Sequence, residues 1–211
     1  MKPVTKMPSA DLFSSDHSSV WAPELPDARI RYFQHFLAPE AADALFEQFR
    51  KEIPWKHEPV KVFGKTYMQP RLTSFHAAEQ KSYTYSGLTL QPEPLDAATQ
   101  ELIIKIKTVC SAEFDAVLFN LYRDGQDSNG WHADNEKELG PRPQIASISL
   151  GDERFFHLKH RELKDQRLKF PLHHGSLLLM EGDTQLQWLH QIAKTKRPVG
   201  PRINLTFRKM V

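Results

Sequence analysis

The chain has 211 residues, of which 40% are hydrophobic and 26% charged, with a net charge of +2. This composition is typical of one soluble globular domain and excludes a disordered chain, while the charge is too small to indicate a nucleic-acid binder by itself. Cys110 is the single cysteine, which excludes an intrachain disulfide framework. Without an apolar run of about 20 residues or a signal-peptide core, we expect a monomeric cytoplasmic protein (nuclear in a eukaryote) with no membrane partner.

The N-terminal half predicts an arm followed by helices. Residues 1–27 are rich in Ser, Pro and Asp and predict a flexible arm, so one domain is expected over residues 28–211. A first strand is predicted from Ile30 to Phe33. Ala38-Pro39 opens one stretch with helical apolar spacing, and Leu95 to Cys110 forms a second, longer one.

The C-terminal half predicts short strands separated by Gly, Pro and Asp/Asn turns. The runs are Val117 to Tyr122, Gln144 to Leu150, Arg154 to Lys159, Leu168 to Leu172, Leu177 to Met180 and Arg202 to Phe207. Many short strands with few late helices favour two packed sheets. The predicted fold class is therefore α+β, with a jelly-roll (double-stranded β-helix) core and N-terminal helices, and not a parallel doubly wound sheet.

A metal site is predicted where a turn-rich segment meets His132 and Asp134. Residues two apart in an extended chain point to the same side, so both side chains can reach one ion. His190 is the best third ligand because it follows a buried strand and a turn, although the adjacent His173 and His174 compete. Two imidazoles and one carboxylate form the ligand set expected of non-haem Fe(II) oxygenases.

The last strand predicts an anion site beside that metal. Its apolar residues alternate with Arg202, Asn204, Thr206 and Arg208, so one face packs while the other binds. Guanidinium groups suit carboxylates, and a metal-chelating 2-oxo acid with a second carboxylate would use both metal and arginine. 2-Oxoglutarate fits this description, although surface arginines on an edge strand remain an alternative.

Six segments together resemble the AlkB-type nucleic-acid demethylases. They are Asn120-x-Tyr122, His132-x-Asp134-x-Glu136, residues 145–151, residues 177–180, Trp188-x-His190 and Pro201-Arg-Ile-Asn-Leu-Thr-Phe-Arg208. Order, spacing and residue types agree over roughly residues 30–210. The resemblance implies an Fe(II)- and 2-oxoglutarate-dependent dioxygenase that uses O₂ to remove N-alkyl groups from nucleic-acid bases.

The resemblance also implies roles for individual residues. Iron would be held by His132, Asp134 and His190. The cosubstrate 2-oxoglutarate would be held by Asn120, Tyr122, Arg202, Asn204 and Arg208.

A segment resembling the base-flipping hairpin of the double-strand repair branch lies within residues 55–90, which we expect to form a nucleotide-recognition lid. Phe63 would insert into the base stack, with a buried strand residue as the alternative interpretation. Tyr85 would stack on the flipped base.

Other predicted DNA contacts lie outside the tip of this hairpin. Glu136 would hydrogen-bond the base edge and Arg71 would lie near the duplex, while Lys196 and Arg197 would touch phosphates. Asn135 departs from the acidic residue of the double-strand branch, which leaves base preference open.

The predicted function is oxidative demethylation of alkylated DNA, with lesions such as N1-methyladenine and N3-methylcytosine and with methylated RNA as a secondary substrate. One alternative keeps the chemistry but acts on RNA, a protein side chain or a small molecule. Another is a non-catalytic jelly-roll module that holds a structural Zn²⁺, although closed zinc sites usually have four N/S ligands.

Overall fold

The computed structural model describes residues 20–62, 65–79, 83–85 and 88–211. Within the first half of this range the elements are β1 (Val20–Trp21), β2 (Arg29–Phe33), α1 (Pro39–Glu52), β3 (Pro59–Val62), β4 (Lys65–Met68), β5 (Leu72–Ala77), β6 (Tyr83–Tyr85), β7 (Leu88–Leu90), β8 (Glu93–Pro94) and α2 (Ala97–Lys107). The second half contains β9 (Ala116–Tyr122), β10 (Asn129–His132), a 3₁₀ turn (Lys137–Leu139), β11 (Ile145–Gly151), β12 (Arg154–His160), β13 (Arg167–Leu172), β14 (Ser176–Glu181), α3 (Thr184–Gln187), β15 (Trp188–Ile192) and β16 (Arg202–Arg208).

The described strands form two principal sheets. The eight-stranded sheet has the order β1-β2-β14-β11-β16-β9-β5-β8, and the four-stranded sheet has the order β10-β15-β12-β13. Neighbouring strands are antiparallel except for the parallel pair β5 and β8. Two small hairpins, β3-β4 and β6-β7, lie in the segment predicted as a lid. This arrangement confirms the predicted α+β class with a jelly-roll core.

The two long helices have local reasons to begin and end where they do. Pro39 occupies the first turn of α1, where its missing N–H costs nothing, and Arg50 and Lys51 in the last turn complement the helix dipole. Asp96 caps α2 by accepting a hydrogen bond from the backbone N–H of Thr99. Both helices were predicted from apolar spacing.

The eight-stranded sheet is covered on both faces, which creates two cores. Ile203, Leu205 and Phe207 of β16 pack in the core that also contains the buried side chains of α1 and α2. The other core lies between the sheets and contains Tyr122 and Trp188. Polar residues of β16 face this second space, so both faces of the strand are buried and the predicted alternation is confirmed.

The chain is ordered ahead of the expected domain start at residue 28. Val20 and Trp21 pair with Phe33 and Tyr32 of β2. The Trp21 ring also packs edge-on against Phe170, with centroids 4.9 Å apart. A two-residue strand carries almost no periodic signal, so only its tertiary packing reveals it. Within the described residues, no helix combines the length and apolar composition needed to cross a membrane.

Candidate active site

Strand pairing brings the three predicted metal ligands together. In the antiparallel pair β10-β15, His132 lies directly opposite His190, and their ring centroids are 4.2 Å apart. Asp134 follows two residues later and places Oδ2 3.7 Å from Nε2 of His190. One ligand atom from each residue lies within 4.8 Å of the others. This cluster matches the predicted ligand set and selects His190.

The competing histidines are held elsewhere. His173 Nδ1 lies 2.9 Å from the Tyr32 hydroxyl, and its Nε2 lies 3.2 Å from Glu153. His174 Nδ1 accepts a hydrogen bond from the backbone N–H of Gly151. Both residues therefore belong to the turn before β14, away from the cluster.

The hydrogen bonds of His132 prepare its ring for a metal. Nδ1 lies 2.7 Å from the carbonyl oxygen of Gly130. Because a carbonyl can only accept, Nδ1 carries the proton and Nε2 keeps its lone pair. In this structure Nε2 accepts a hydrogen bond from the Asn129 side-chain amide at 3.0 Å. A bound metal ion would take the place of this amide donor.

Hydrogen bonds fix both the backbone and the carboxylate of Asp134. Its backbone N–H donates to Oε1 of Gln185 at 2.9 Å, and its Oδ1 accepts from Nη2 of Arg208 at 2.8 Å. Oδ2 is thereby left facing His190. Burial opposes ionisation, but Arg208 and the two histidines outweigh it and hold the pKa of Asp134 well below its ordinary value.

Both imidazoles are neutral at neutral pH. Burial, reinforced by the charge that His132 would carry, lowers the pKa of His190 to about 3. Burial also lowers the pKa of His132, against the opposing effect of Asp134. Neutral imidazole and ionised carboxylate are the forms that bind a metal ion, so the cluster needs no proton release before binding.

A cavity between the two sheets extends from the ligand cluster along the polar face of β16. Its walls include Asn120 and Tyr122 of β9, Ser147 of β11 and Arg202, Asn204, Thr206 and Arg208 of β16. The register explains this meeting, because Arg202 lies opposite Tyr122 and Asn204 opposite Asn120. All five predicted cosubstrate residues therefore line one cavity.

Arg202 supplies an unneutralised cation at one end of this cavity. Its side chain is 1% exposed, its guanidinium carbon lies 5.2 Å from the Tyr122 ring centroid, and Nη2 donates to Ser149 Oγ at 2.9 Å. Among the described residues, its Nε and Nη1 have no hydrogen-bond partner. Burial lowers its pKa to about 10, which still leaves it charged. A buried cation with open donors fits a carboxylate ligand.

The two ends of the cavity suit a chelating dianion. Arg208 lies at the Asp134 end, whereas Arg202 lies at the opposite end. The three ligands leave other positions of an octahedral ion open. The residues present therefore fit Fe(II) with 2-oxoglutarate.

The comparisons with known proteins agree with this geometry. The model of the 2OG-Fe(II) oxygenase superfamily matches residues 29–208. Human "DNA oxidative demethylase ALKBH2" is 36% identical over 180 residues, covering 81% of this chain and 69% of that protein. Bovine "Alpha-ketoglutarate-dependent dioxygenase alkB homolog 3" is 39% identical over 182 residues, covering 82% and 63% of the respective chains. The chain belongs to the AlkB-type family of 2OG-Fe(II) oxygenases.

Members of this family use Fe(II) as the metal and 2-oxoglutarate as the cosubstrate, and their oxygenase chemistry requires O₂. The chain spans less than two thirds of the first relatives that it matches, with 63% of the bovine and 66% of the mouse alkB homolog 3. A solved structure titled "The structure of OsALKBH1" superposes with a TM-score of 0.63 at 16% identity, over 85% of this chain and 97% of that one. This structural likeness supports the AlkB-type fold.

Arg71 is predicted from the sequence to lie near the duplex. Its side chain is 3% exposed and lines the cavity, and Nε donates to Asn120 Oδ1 at 2.7 Å. Arg71 thus lies in the wall of the cavity and not on the outer surface, and its predicted position near the duplex stays a prediction. Arg71 orients one of the predicted cosubstrate residues of this AlkB-type site.

The remaining predicted DNA contacts are only partly described. Glu136 is half-buried and precedes the 3₁₀ turn, outside the cavity wall. Lys196 and Arg197 are exposed after β15. Phe63 lies outside the described residues, and for Tyr85 the backbone of β6 is described but the side chain is not.

The sequence did not predict the residues that hydrogen-bond to the predicted site residues and hold them in place. Gln185 holds the backbone of Asp134, and Ser149 holds Arg202. Both are buried polar residues, at 1% and 2% exposure. A Ser within the run 145–151 and a Gln after a turn are too common to be identified without the fold.

Proposed function

We propose that the protein is an oxidative DNA demethylase that removes N-methyl groups from bases such as N1-methyladenine and N3-methylcytosine. The overall reaction converts the N-methyl base, 2-oxoglutarate and O₂ into the unmodified base, formaldehyde, succinate and CO₂. One oxygen atom enters succinate and the other leaves in formaldehyde. Methylated RNA is a secondary substrate of the same chemistry.

The observation that carries the proposal is the shared cavity of the ligand cluster and the Arg202 guanidinium. His132 and Asp134 at one end and a cation with open donors at the other fit an iron-chelating dicarboxylate. The DNA substrate is supported by the human and mouse relatives at 36% identity, which are named DNA oxidative demethylase ALKBH2.

Each side chain then has a defined task. His132, Asp134 and His190 would hold Fe(II), which supplies the activation of O₂. Arg202 binds the far carboxylate of 2-oxoglutarate, while Asn120 and Asn204 set its orientation. The buried walls exclude water. No side chain acts as a nucleophile, since the reaction is an oxidation of the methyl carbon.

The target base would enter from the open side of the ligand cluster. In this proposal Phe63 fills the gap left in the stack, Tyr85 stacks on the flipped base and Glu136 hydrogen-bonds its edge. Lys196 and Arg197, both exposed, bind phosphates. Residues 55–90 form the lid of the domain, and the enzyme acts as a cytoplasmic monomer, or a nuclear one in a eukaryote.

The test is mass spectrometry of paired single- and double-stranded oligonucleotides that carry N1-methyladenine or N3-methylcytosine, incubated with Fe(II), ascorbate and 2-oxoglutarate. We expect products lighter by one methylene group. A Phe63→Ala variant should lose activity on the duplex and keep it on the single strand. If the masses of all the methylated oligonucleotides stay unchanged after incubation, the proposal is refuted. If Phe63→Ala repairs the duplex as well as the wild type does, the role of Phe63 is refuted.

A further inference from the structure

The outward face of the four-stranded sheet combines aromatic and basic side chains. Along β12, residues alternate between buried and half-buried, so every second side chain points away from the core. The outer face, as we name it, contains Trp131, Phe155, His157, Lys159, Arg167 and Lys169. Trp131 is 40% exposed.

Aromatic rings and cations are already in contact on this face. The Lys159 ammonium lies 4.4 Å from the Trp131 ring centroid, and the Lys169 ammonium lies 4.3 Å from that of Phe155. The two lysines therefore lie over two aromatic rings at opposite ends of β12. Phe155 and Lys159 lie four positions apart, which is about 13 Å of strand.

The cations of the outer face repel one another across the sheet. Lys159 lies directly opposite Arg167, so two positive charges face each other, and Lys169 lies opposite His157. Burial and the charge of Lys169 lower the pKa of His157, so its ring is neutral. Like charges in such positions destabilise a sheet. Within the described part of the chain, none of Lys159, Arg167 and Lys169 forms an ion pair with a carboxylate. Their positive charge is therefore available to an anionic partner.

A groove continues the outer face toward the loop after β15. Its volume is about 640 Å³, and its lining includes the exposed cations Lys169, Lys194 and Arg197, the buried Arg154, and the rings of Phe155 and His157. Two acidic residues, Asp152 and Glu153, also line it. Asp152 accepts the backbone N–H of Gly200, and Glu153 lies 3.2 Å from His173, so both already have partners.

We propose that the outer face and its groove bind a single-stranded stretch of DNA next to the base held in the active site. Trp131 directly precedes the ligand His132, so the face begins at the active site. Lysines fit a phosphodiester backbone, and the exposed ring of Trp131 can stack on an unpaired base, which a duplex does not offer. This inference rests on the proposed function and adds a second binding surface to it.

The experiment measures the affinity of the full chain for unmodified single-stranded DNA by fluorescence anisotropy. A five-nucleotide and a twenty-nucleotide oligomer are compared across a salt series. Lys159→Gln/Lys169→Gln removes two positive charges from the outer face. The control, Lys51→Gln/Lys107→Gln, removes two exposed charges from the helices on the other side of the eight-stranded sheet.

We expect the wild type and the control to bind the longer oligomer more tightly than the shorter one. In Lys159→Gln/Lys169→Gln this gain should disappear, and the slope of log affinity against log salt should become shallower by about 1.4, at about 0.7 per phosphate contact. Trp131→Leu, which keeps an apolar side chain but cannot stack, should weaken binding of the longer oligomer about fivefold. The inference would be overturned if all variants gained the same affinity from the longer oligomer and showed the same slope of log affinity against log salt.

The outcome is separable from that of the proposed function. Demethylation of a methylated five-nucleotide oligomer without any length-dependent binding would support the active site and refute the outer face. Length-dependent binding that the outer-face variant abolishes, in a protein that demethylates no base, would support the face and refute the proposed function.

Discussion

Arg208 donates from Nη2 to Oδ1 of Asp134 at 2.8 Å, and each side chain is 3% exposed. This buried ion pair fixes the carboxylate, so that Oδ2 faces His190 and the ligand cluster. The last strand therefore positions a metal ligand as well as lining the cosubstrate cavity. Two elements distant in sequence, β16 and the loop after β10, are joined at the centre of the site.

Removing the cation of this pair should destabilise the fold. Arg208→Met leaves the Asp134 carboxylate buried without its main charged partner, which costs about 3 to 5 kcal/mol in free energy of unfolding. Urea denaturation of the metal-free protein measures the change, with the exposed Arg167→Met as control. Equal stability of Arg208→Met and the wild type would show that the pair contributes nothing to folding.

Arg202 should determine how tightly 2-oxoglutarate binds. Loss of a charge-assisted contact costs about 1.5 to 3 kcal/mol, so Arg202→Met should raise the KM for 2-oxoglutarate by about 10- to 150-fold. The same cosubstrate should raise the Tm of the wild type and leave that of the variant almost unchanged. An unchanged KM would mean that Arg202 does not contact the cosubstrate.

Gln185 should matter to the metal although it is not a ligand. Gln185→Leu removes the acceptor for the Asp134 backbone N–H and loosens the loop that bears the carboxylate. Supporting contacts of this kind typically contribute 10- to 100-fold in metal affinity. Titration with Fe(II) under anaerobic conditions measures it, and Gln187→Leu in the same short helix is the control. Identical affinities in the two variants would contradict this role.

The ligands were predictable because chemistry restricts their types and strand geometry restricts their spacing. His132 and Asp134 share one side of an extended chain, and the alternation of β16 identified the polar face that lines the cavity. The burial of Arg71 and its hydrogen bond to the Asn120 side chain could not be predicted, because only the fold brings these two residues together. The pairing of Val20–Trp21 with β2 depends on tertiary packing in the same way.

The burial of His76 predicts that the free energy of unfolding falls in mild acid. It is 4% exposed, Nδ1 donates to the Pro94 carbonyl at 2.9 Å, and Nε2 lies 3.0 Å from Ser74 Oγ. Burial lowers the pKa of His76, more than the Pro94 hydrogen bond raises it. The folded state thus favours neutral imidazole, whereas the unfolded chain takes up a proton below pH about 6.5.

The sign of this effect follows from proton uptake by the unfolded state. The contribution of His76 is complete above pH about 6.5 and is lost as the pH falls below that value, by at most about 1.4 kcal/mol per pH unit. His76→Gln should therefore show a flatter decline in free energy of unfolding than the wild type between pH 6.5 and 5, and an equal slope above pH 7. Parallel curves throughout the acid range would contradict the prediction.

Coupled product analysis on a single-stranded oligonucleotide with N1-methyladenine tests the central claim most directly. Succinate and formaldehyde are quantified in one reaction with Fe(II), 2-oxoglutarate and O₂, for the wild type and for Asp134→Ala. We predict one formaldehyde for each succinate in the wild type and neither product in a folded Asp134→Ala protein. Succinate without formaldehyde in the wild type, or equal turnover by Asp134→Ala, would contradict the account.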